Sequence, residues 1–502
     1  MRPASGRDGA RPPLISTIDV WKYIETHISV EYDTGVVSSW PSTTGTSYVP
    51  DSSSEYWDRE QETRPPEERE EVILERINDQ VRYAYENGAF YREHYSDVDV
   101  DPTDITSFEE FEQLPVLTSD DLKKEQKEHP PYGRFLCIDE GDIARIYGTS
   151  GTTGRPKVFG VGDEDWDRIA EWHAQILWSV GLRPEHTVII TSPFIQYLGS
   201  WGALQGVDRL GCNTFPFGAG MEGQTEQAVE WIADVRPEGL YGTPSYAIYL
   251  GETARENGYD PAKDFDFDVM FFSGEPGASI PSTRKRIESI FDCEVIDQGS
   301  MAEMTPWMSN SGCRHLENGM HLWQDIVYTE LLDPETEELR DYGEKGVPTY
   351  THLGRTSQPM IRLWSGDISH WESHEATDCD CGRTYPTLPK GIYGRVDSML
   401  VIRGKNVFPS QIEDRLHALE EFGDEFRIVV EKEGALDSLD LVVEQADDSQ
   451  LSIEEFGKTV RSSVKSEIGI TPDVTVVEMG ELERTQFKAD RVKDKRELSV
   501  NV

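Results

Sequence analysis

Short apolar runs alternate with longer helical patterns along most of this chain. Thr187–Thr191 and Val269–Phe272 have the length and the β-branched or aromatic content of buried strands. Residues 66–93 and 163–180 instead carry apolar side chains at helical spacing. Because such an alternation requires helices to cover a sheet, the sequence predicts an α/β fold.

The pattern changes near residue 394. Beyond it, short strand patterns and helical patterns follow one another closely, which predicts a compact α+β domain. The chain begins differently, because residues 1–54 are rich in Ser, Thr, Pro and Gly and lack apolar periodicity. We therefore expect a disordered or loosely packed extension (1–54), a large domain (55–394) and a small domain (395–502).

The chain is strongly acidic. Its 502 residues include 94 Asp and Glu against 48 Lys and Arg, for a formal net charge of −46. This charge would repel nucleic acids and anionic membranes, and its dispersed character is typical of a halophilic surface. The sequence contains neither a membrane-length apolar run nor a secretory leader pattern, so a cytoplasmic protein is expected. Whether it forms a homodimer is left open.

One segment, residues 147–157, combines glycines, hydroxyls and two cations. Glycines allow backbone N–H groups to converge on an anion, while hydroxyls and cations add further donors, so a polyphosphate ligand is expected. The register of a P-loop is absent, since Arg155 follows Gly154 and Val158 follows Lys157. A flexible surface turn is the alternative. The candidate phosphate-binding residues are Thr149, Ser150, Gly151, Thr152, Thr153, Gly154 and Lys157.

Residues 150–157 resemble the phosphate loop of the adenylate-forming superfamily. Residues 57–87, 273–276 and 394–409 resemble the phenylacetate-CoA ligase family within it, and the likeness extends from about Trp57 to the C-terminus. The resemblance implies a large N-terminal adenylate-forming domain and a small, mobile C-terminal lid domain. It also implies that ATP, coenzyme A and an aromatic carboxylic acid, with phenylacetate as the leading candidate, are converted through acyl-AMP to a thioester.

The same resemblance assigns the nucleotide site. Residues along the adenine and ribose would be Ser273, Gly274, Glu275, Pro276, Asp367 and Arg395. Glu303 would bind Mg²⁺ at the end of the segment Gly299–Glu303, in which Gly299 stands where the family has an aromatic residue. An alternative register keeps Gln298 beside the base but displaces Glu303.

Activation of an acid requires cations rather than a general base, because a carboxylic acid is already ionised at neutral pH. By resemblance, Lys488 is the adenylation lysine and Asp397 is the hinge about which the small domain turns. Arg403, Gly404 and Lys405 would then guide coenzyme A, although surface cations are an equally good interpretation. Tyr197, Trp201 and Tyr241 offer aromatic surfaces for the acyl pocket.

Cys313, His321, Cys379 and Cys381 suit a structural Zn²⁺ site, with His315 as a substitute for His321 and reduced surface thiols as the alternative. Two other functions stay open. One is an adenylyltransferase that stops at an AMP-linked product, as deazaflavin-cofactor adenylating relatives do. The other is an ATP-binding regulatory protein with reduced catalysis.

Overall fold

The computed structural model describes residues 48–149, 156–196, 198–219, 223–275, 277–299, 301–304, 309–377, 379–392, 394–395, 400–403, 405–433, 436–447, 449–483 and 491–496. Several residues singled out above lie outside these ranges. They are the loop residues Ser150–Gly154, together with Tyr197, Pro276, Asp397, Gly404 and Lys488.

Helices α1–α13 are Arg59–Glu62, Pro66–Asn87, Ala89–His94, Phe108–Phe111, Ser119–Glu128, Asp163–Ser179, Leu198–Leu210, Gln224–Val235, Pro244–Glu256, Pro261–Asp264, Pro281–Phe291, Pro409–His417 and Ile453–Ile468. Single 3₁₀ turns cover Glu140–Asp142 and Ala302–Met304. The expected helices at 66–93 and 163–180 are both present, the first as α2 and α3.

Strands β1–β11 are Ile143–Gly148, Val158–Gly162, Thr187–Ile190, Asn213–Pro216, Gly239–Gly242, Val269–Phe272, Glu294–Gly299, Asn310–Ser311, Met320–Leu322, Val327–Leu332 and Lys345–His352. Strands β12–β21 are Leu363–Trp364, Asp367–His370, Thr387–Leu388, Gly394–Arg395, Leu400–Ile402, Lys405–Val407, Phe422–Glu433, Leu436–Gln445, Asp473–Glu478 and Val492–Asp494.

The central sheet has the strand order β14-β9-β8-β7-β6-β5-β3-β4. Strands β3 to β7 run parallel, and β8, β9 and β14 extend the sheet in antiparallel fashion. Helices α8, α9 and α11 share an apolar cluster with side chains of β5, β6 and β7, among them Leu240, Phe272 and Val295. This arrangement confirms the predicted α/β architecture.

Helix α6 is almost entirely buried and packs against α7. Its predicted apolar stripe is fully in the core: Trp166, Ile169, Ala170, Trp172, Ile176 and Leu177 are all buried. The stripe is therefore packing surface.

The C-terminal residues form a second core. Strands β20-β19-β18-β21 make a mixed sheet whose inner face, with Phe426, Ile428 and Leu441, packs on α12 and α13. A capping box between Ser452 and Glu455 starts α13, because the two side chains satisfy each other's free backbone N–H groups. The expected small α+β domain is thus present. Within the described ranges, every helix is too short or too polar to cross a bilayer.

Candidate active site

The candidate site lies at the carboxyl ends of the parallel strands. Tyr241 is near the end of β5, Ser273 and Glu275 directly follow β6, and β7 ends at Gly299, just before Glu303. Because neighbouring parallel strands end at the same edge of a sheet, these residues lie at one edge, where ligands of α/β proteins commonly bind.

The candidate phosphate loop joins two paired strands. Strands β1 and β2 are antiparallel, with Gly148 opposite Val158. At the base of the loop, Thr149 N–H donates to the Lys157 carbonyl oxygen (3.1 Å), and Lys157 N–H donates to Thr149 Oγ1 (3.3 Å). The hairpin therefore fixes both ends of the loop and directs Lys157 toward the sheet edge.

Lys157 and Glu303 form a buried ion pair. The distance from Lys157 Nζ to Glu303 Oε1 is 2.6 Å, and the same ammonium donates to Ser119 Oγ at 2.6 Å. Lys157 is 9% exposed and Glu303 is 7% exposed. A carboxylate so far from water requires a neighbouring positive charge. The structure thus joins the candidate phosphate cation to the candidate metal ligand, which sequence reasoning had treated separately.

Glu275 is tied to the start of α9. Its Oε1 accepts hydrogen bonds from Ser245 N–H at 2.8 Å and from Ser245 Oγ. Burial raises the pKa of Glu275, and the positive charge of Arg491 partly offsets that increase. The nucleotide-like segment therefore faces a residue of the C-terminal domain.

Tyr241 and Ser273 form a buried hydroxyl pair. Tyr241 Oη and Ser273 Oγ are 2.7 Å apart, and the Tyr241 ring stacks on Phe271 with a centroid distance of 5.5 Å. Both residues are at most 4% exposed. The predicted pocket residue Tyr241 thus contributes a polar group, as well as aromatic surface, at the sheet edge.

Trp201 lies on α7, and 37% of its surface is exposed. Its indole N–H donates to the Ile195 carbonyl oxygen at 2.8 Å, and its ring packs edge-on against Phe194. Trp201 and Phe194 therefore present aromatic surface at the start of α7.

Asp297 is a buried acid near the candidate site that sequence reasoning did not single out. It lies on β7, accepts a hydrogen bond from Ser279 Oγ, and has a pKa that burial raises to about 7. Gly391 packs over it with φ +60°, and a Cβ there would lie 2.6 Å from Ser279 Cβ. The available signal was an acid that directly follows the apolar pair Val295–Ile296, two residues before the candidate metal segment Gly299–Glu303.

Asp367 and Arg395 meet as expected for a ribose-binding pair. They are opposite each other in β13 and β15, and Arg395 Nη1 lies 3.3 Å from Asp367 Oδ1. Gly366 has φ +74°, and a Cβ there would be 3.0 Å from Arg395 Nη2. Glycine is therefore favoured at position 366 by its left-handed backbone conformation.

Arg403 and Lys405 are exposed on the C-terminal domain. Arg403 Nε donates to the Asp437 carbonyl oxygen (2.8 Å), and Lys405 Nζ donates to that of Gly469 (3.0 Å). Both cations are thus held at the surface by main-chain oxygens of their own domain.

The four predicted metal ligands converge. His321 Nε2 lies 3.5 Å from Cys313 Sγ, 3.6 Å from Cys379 Sγ and 3.5 Å from Cys381 Sγ. All four candidate ligand atoms lie within 4.8 Å of one another. Tetrahedral zinc, with Zn–S of about 2.3 Å and Zn–N of about 2.0–2.1 Å, sets sulfur–nitrogen separations of about 3.5 Å. The cluster, hereafter the cysteine cluster, therefore has the dimensions of such a site.

The surroundings of the cysteine cluster also suit a metal. Arg383 N–H points at Cys381 Sγ at 3.4 Å, as is favourable for a thiolate. His315, the proposed substitute ligand, is exposed and does not belong to the cluster.

Comparison with known proteins is decisive for the family. The family model for the AMP-binding enzyme matches residues 75–347, and that for the AMP-binding enzyme C-terminal domain matches residues 404–496. The chain belongs to the AMP-binding enzyme family. Its curated relatives include phenylacetate-coenzyme A ligases of Thermus thermophilus (32% identity, 87% of this chain and 99% of the relative) and Escherichia coli (31%, 87% and 97%). This AMP-binding enzyme is therefore an AMP-forming ligase of the phenylacetate-CoA ligase type.

Solved structures of a 2-hydroxyisobutyryl-CoA ligase are also similar to this AMP-binding enzyme. Its postadenylation state with 2-hydroxyisobutyryl-AMP has 44% identity and a TM-score of 0.86, and covers 90% of this chain and 94% of that one. Its thioesterification state with the same adenylate and CoA has 43% identity but a TM-score of 0.70, with 91% and 97% covered. The two states have nearly the same identity and coverage, so the chain resembles the postadenylation state more closely in its overall arrangement.

Proposed function

We propose that this protein activates a carboxylic acid with ATP as an acyl-AMP and then transfers the acyl group to coenzyme A, releasing pyrophosphate and AMP. The observation that carries the proposal is the buried pair of Lys157 and Glu303 beside the nucleotide segment at the sheet edge. Attack of a carboxylate on the α-phosphate brings two anions together. A site with prearranged positive charge lowers the free energy of that step.

The residues present suit Mg²⁺. Glu303 would hold the ion, because its buried carboxylate already pairs with a positive charge, the ammonium of Lys157. When bound, Mg²⁺ would neutralise charge on the phosphate oxygens. Lys157 would then be released to contact phosphate, while Asp367 would accept hydrogen bonds from the ribose.

Lys488 is proposed as the second cation, acting only in adenylation. We expect Lys488→Ala to lower ATP–pyrophosphate exchange by roughly 10²–10³-fold, as for the loss of other prearranged charge-stabilising groups. Thioester formation from supplied acyl-AMP should be largely kept. Equal loss of both half-reactions would contradict this role. Asp397 stays the predicted hinge, and Arg403 and Lys405 stay predicted contacts for the CoA phosphates.

The acid is proposed to be a short 2-hydroxy acid. The buried hydroxyls of Tyr241 and Ser273 could bind a substrate hydroxyl, and the solved 2-hydroxyisobutyryl-CoA ligase has the higher identity to this chain. An arylacetic acid, first expected from the sequence, is the second candidate. The exposed ring of Trp201 and the curated phenylacetate relatives favour it.

A panel of 2-hydroxy and arylacetic acids, assayed with ATP and CoA, tests the proposal. Formation of a CoA thioester supports a ligase, whereas an AMP-linked product without thioester would indicate an adenylyltransferase. Absence of pyrophosphate release with every acid would favour a regulatory ATP-binding protein. Tyr241→Phe should weaken use of the 2-hydroxy acid more than that of its analogue without the hydroxyl, since it leaves a buried polar group unpaired.

The cysteine cluster is proposed to bind a structural Zn²⁺. Its four ligands leave no open position, which is typical of structural rather than catalytic zinc. We expect one zinc per chain in elemental analysis of the purified protein. A preparation that is folded and free of stoichiometric metal would contradict the proposal.

A further inference from the structure

Helix α12 of the C-terminal domain packs on α11 of the large domain. A serine joins them: Ser282 Oγ is 3.0 Å from Asp414 Oδ1 and 3.2 Å from the Asp414 carbonyl oxygen. Both residues are half-buried. This contact crosses from one domain to the other without involving a residue of the nucleotide segment.

Glu413, which precedes Asp414 on α12, belongs to a charged cluster with Arg491 and Glu425. Arg491 Nη1 pairs with Glu413 Oε1 at 2.8 Å, and Arg491 Nε pairs with Glu425 Oε1 at 2.9 Å. Arg491 also follows the Lys488 segment directly in the chain. Its side chain therefore anchors the start of β21, four residues beyond Lys488 in the sequence.

Arg491 acts on both domains. Burial raises the pKa of Glu275 most, and the positive charge of Arg491 has the next largest effect, which lowers this pKa. The negative charge of Glu413 raises it. Glu275 in turn is fixed by Ser245. One guanidinium thus balances acids of the nucleotide segment and of the C-terminal domain.

We propose that these residues, named here the domain contact (Glu275 and Ser282 with Glu413, Asp414 and Arg491), hold the C-terminal domain in the orientation used for adenylation. Arg491, directly before β21, is the positioning residue, because its guanidinium pairs with Glu413 and Glu425 and acts electrostatically on Glu275. The inference rests on the proposed function. It is supported by the higher structural similarity to the postadenylation state than to the thioesterification state of the 2-hydroxyisobutyryl-CoA ligase.

When the C-terminal domain turns away, Glu275 would lose Arg491 and Asp414 would lose Ser282. The domain contact therefore stabilises one of two orientations, and a variant that weakens it should shift the population toward the other. The shift should act oppositely on the two half-reactions. A residue with a purely structural role would lower both.

The primary test uses Ser282→Ala, which alters no nucleotide residue, with Ser282→Ala/Glu275→Gln as the stronger variant. Arg461→Gln, on an exposed ion pair within the C-terminal domain, is the matched control. At saturating ATP, ATP–pyrophosphate exchange with 2-hydroxyisobutyrate or phenylacetate should fall roughly two- to tenfold in Ser282→Ala, the range expected for lost hydrogen bonds. Thioester formation from supplied 2-hydroxyisobutyryl-AMP should be unchanged or faster.

Hydrogen exchange of the ligand-free variants gives a readout independent of turnover. Amides of α11 and α12 should exchange faster in both variants and at the wild-type rate in Arg461→Gln. The inference is overturned if exchange in these helices is unchanged, or if both half-reactions fall equally. A wild-type protein that turns over neither acid would count against the proposed function, while hydrogen exchange would still decide the domain contact.

Discussion

At the scale of single residues, the pairing of Lys157 with Glu303 has a direct energetic consequence. Glu303→Gln should abolish most adenylation and also destabilise the fold by up to about 3 kcal/mol, because Lys157 would be left buried without its counter-charge. Urea unfolding measures the second effect. Lys157→Met/Glu303→Gln should regain stability but not activity, and Glu335→Gln, at an exposed acid, is the control. A double variant no more stable than Glu303→Gln would contradict the pairing.

Asp297 should make stability depend on pH in the sense opposite to most acids. Burial raises its pKa from 3.8 to about 7, so the folded state keeps a proton that the unfolded state loses near pH 4. Stability from this group is therefore greatest below pH 4, declines as pH rises, and is constant above about pH 7.

Asp297→Asn should remove that decline. Relative to wild type, its free energy of unfolding should rise by roughly 2–3 kcal/mol between pH 5 and pH 8, since one pKa unit corresponds to about 1.4 kcal/mol. Urea titrations of the ligand-free proteins at several pH values measure this. Parallel stability curves for the two proteins would show that the carboxyl is ionised throughout.

Sequence reasoning was most successful where chemistry is carried by residue type and spacing. The cysteine cluster was predicted in full, since two cysteines one residue apart with a distant Cys/His pair have few other uses. The pair of Lys157 with Glu303 could not be predicted, because long side chains from unrelated segments meet only after the sheet is assembled. Asp297 was missed because a single acid in an apolar strand has no periodic signal.

At the scale of elements, the cysteine cluster joins β9 to the segment before β14. Arg383, two residues beyond Cys381, pairs with buried Glu62 at 2.7 Å, and Tyr56 donates to the Cys381 carbonyl oxygen. Metal removal should therefore loosen residues 54–64 as well as the cluster itself.

A chelator should lower the melting temperature and speed amide exchange in residues 54–64 and around the cysteine cluster. Amides of α13 in the C-terminal domain should keep their protection from exchange. Cys212→Ser, at a buried thiol outside the cluster, is the control. Unchanged melting after complete chelation would show that the cluster holds no structural metal.

Local sequence patterns indicate where helices begin and end better than they indicate which strands pair in a sheet. Helix α13, Ile453–Ile468, lies between a capping serine, Ser452, and a terminal glycine, Gly469, and both are local signals. The antiparallel extension of the central sheet by β8, β9 and β14 was not predicted. These strands have two or three residues each, too few to show a period.

At the scale of the whole molecule, the net charge of −46 predicts a response to salt. Added KCl shortens the screening length from about 30 Å at 0.01 M to about 3 Å at 1 M, which reduces repulsion within the fold and toward ATP and CoA. Melting temperature and turnover should both rise with KCl. If both are highest below about 0.1 M salt, the acidic surface is no halophilic adaptation.

The ion pair between Glu62 and Arg383 joins positions 321 residues apart in the chain. A ribosome adding about 5–20 residues per second needs roughly 15–60 s to make the intervening polypeptide. During that interval the Glu62 carboxylate lacks the positive charge of Arg383, and the Tyr56 hydroxyl lacks the Cys381 carbonyl oxygen. The segment around Tyr56 and Glu62 can therefore complete its packing only after residue 383 has been made, and nascent chains released earlier should be targets for chaperones.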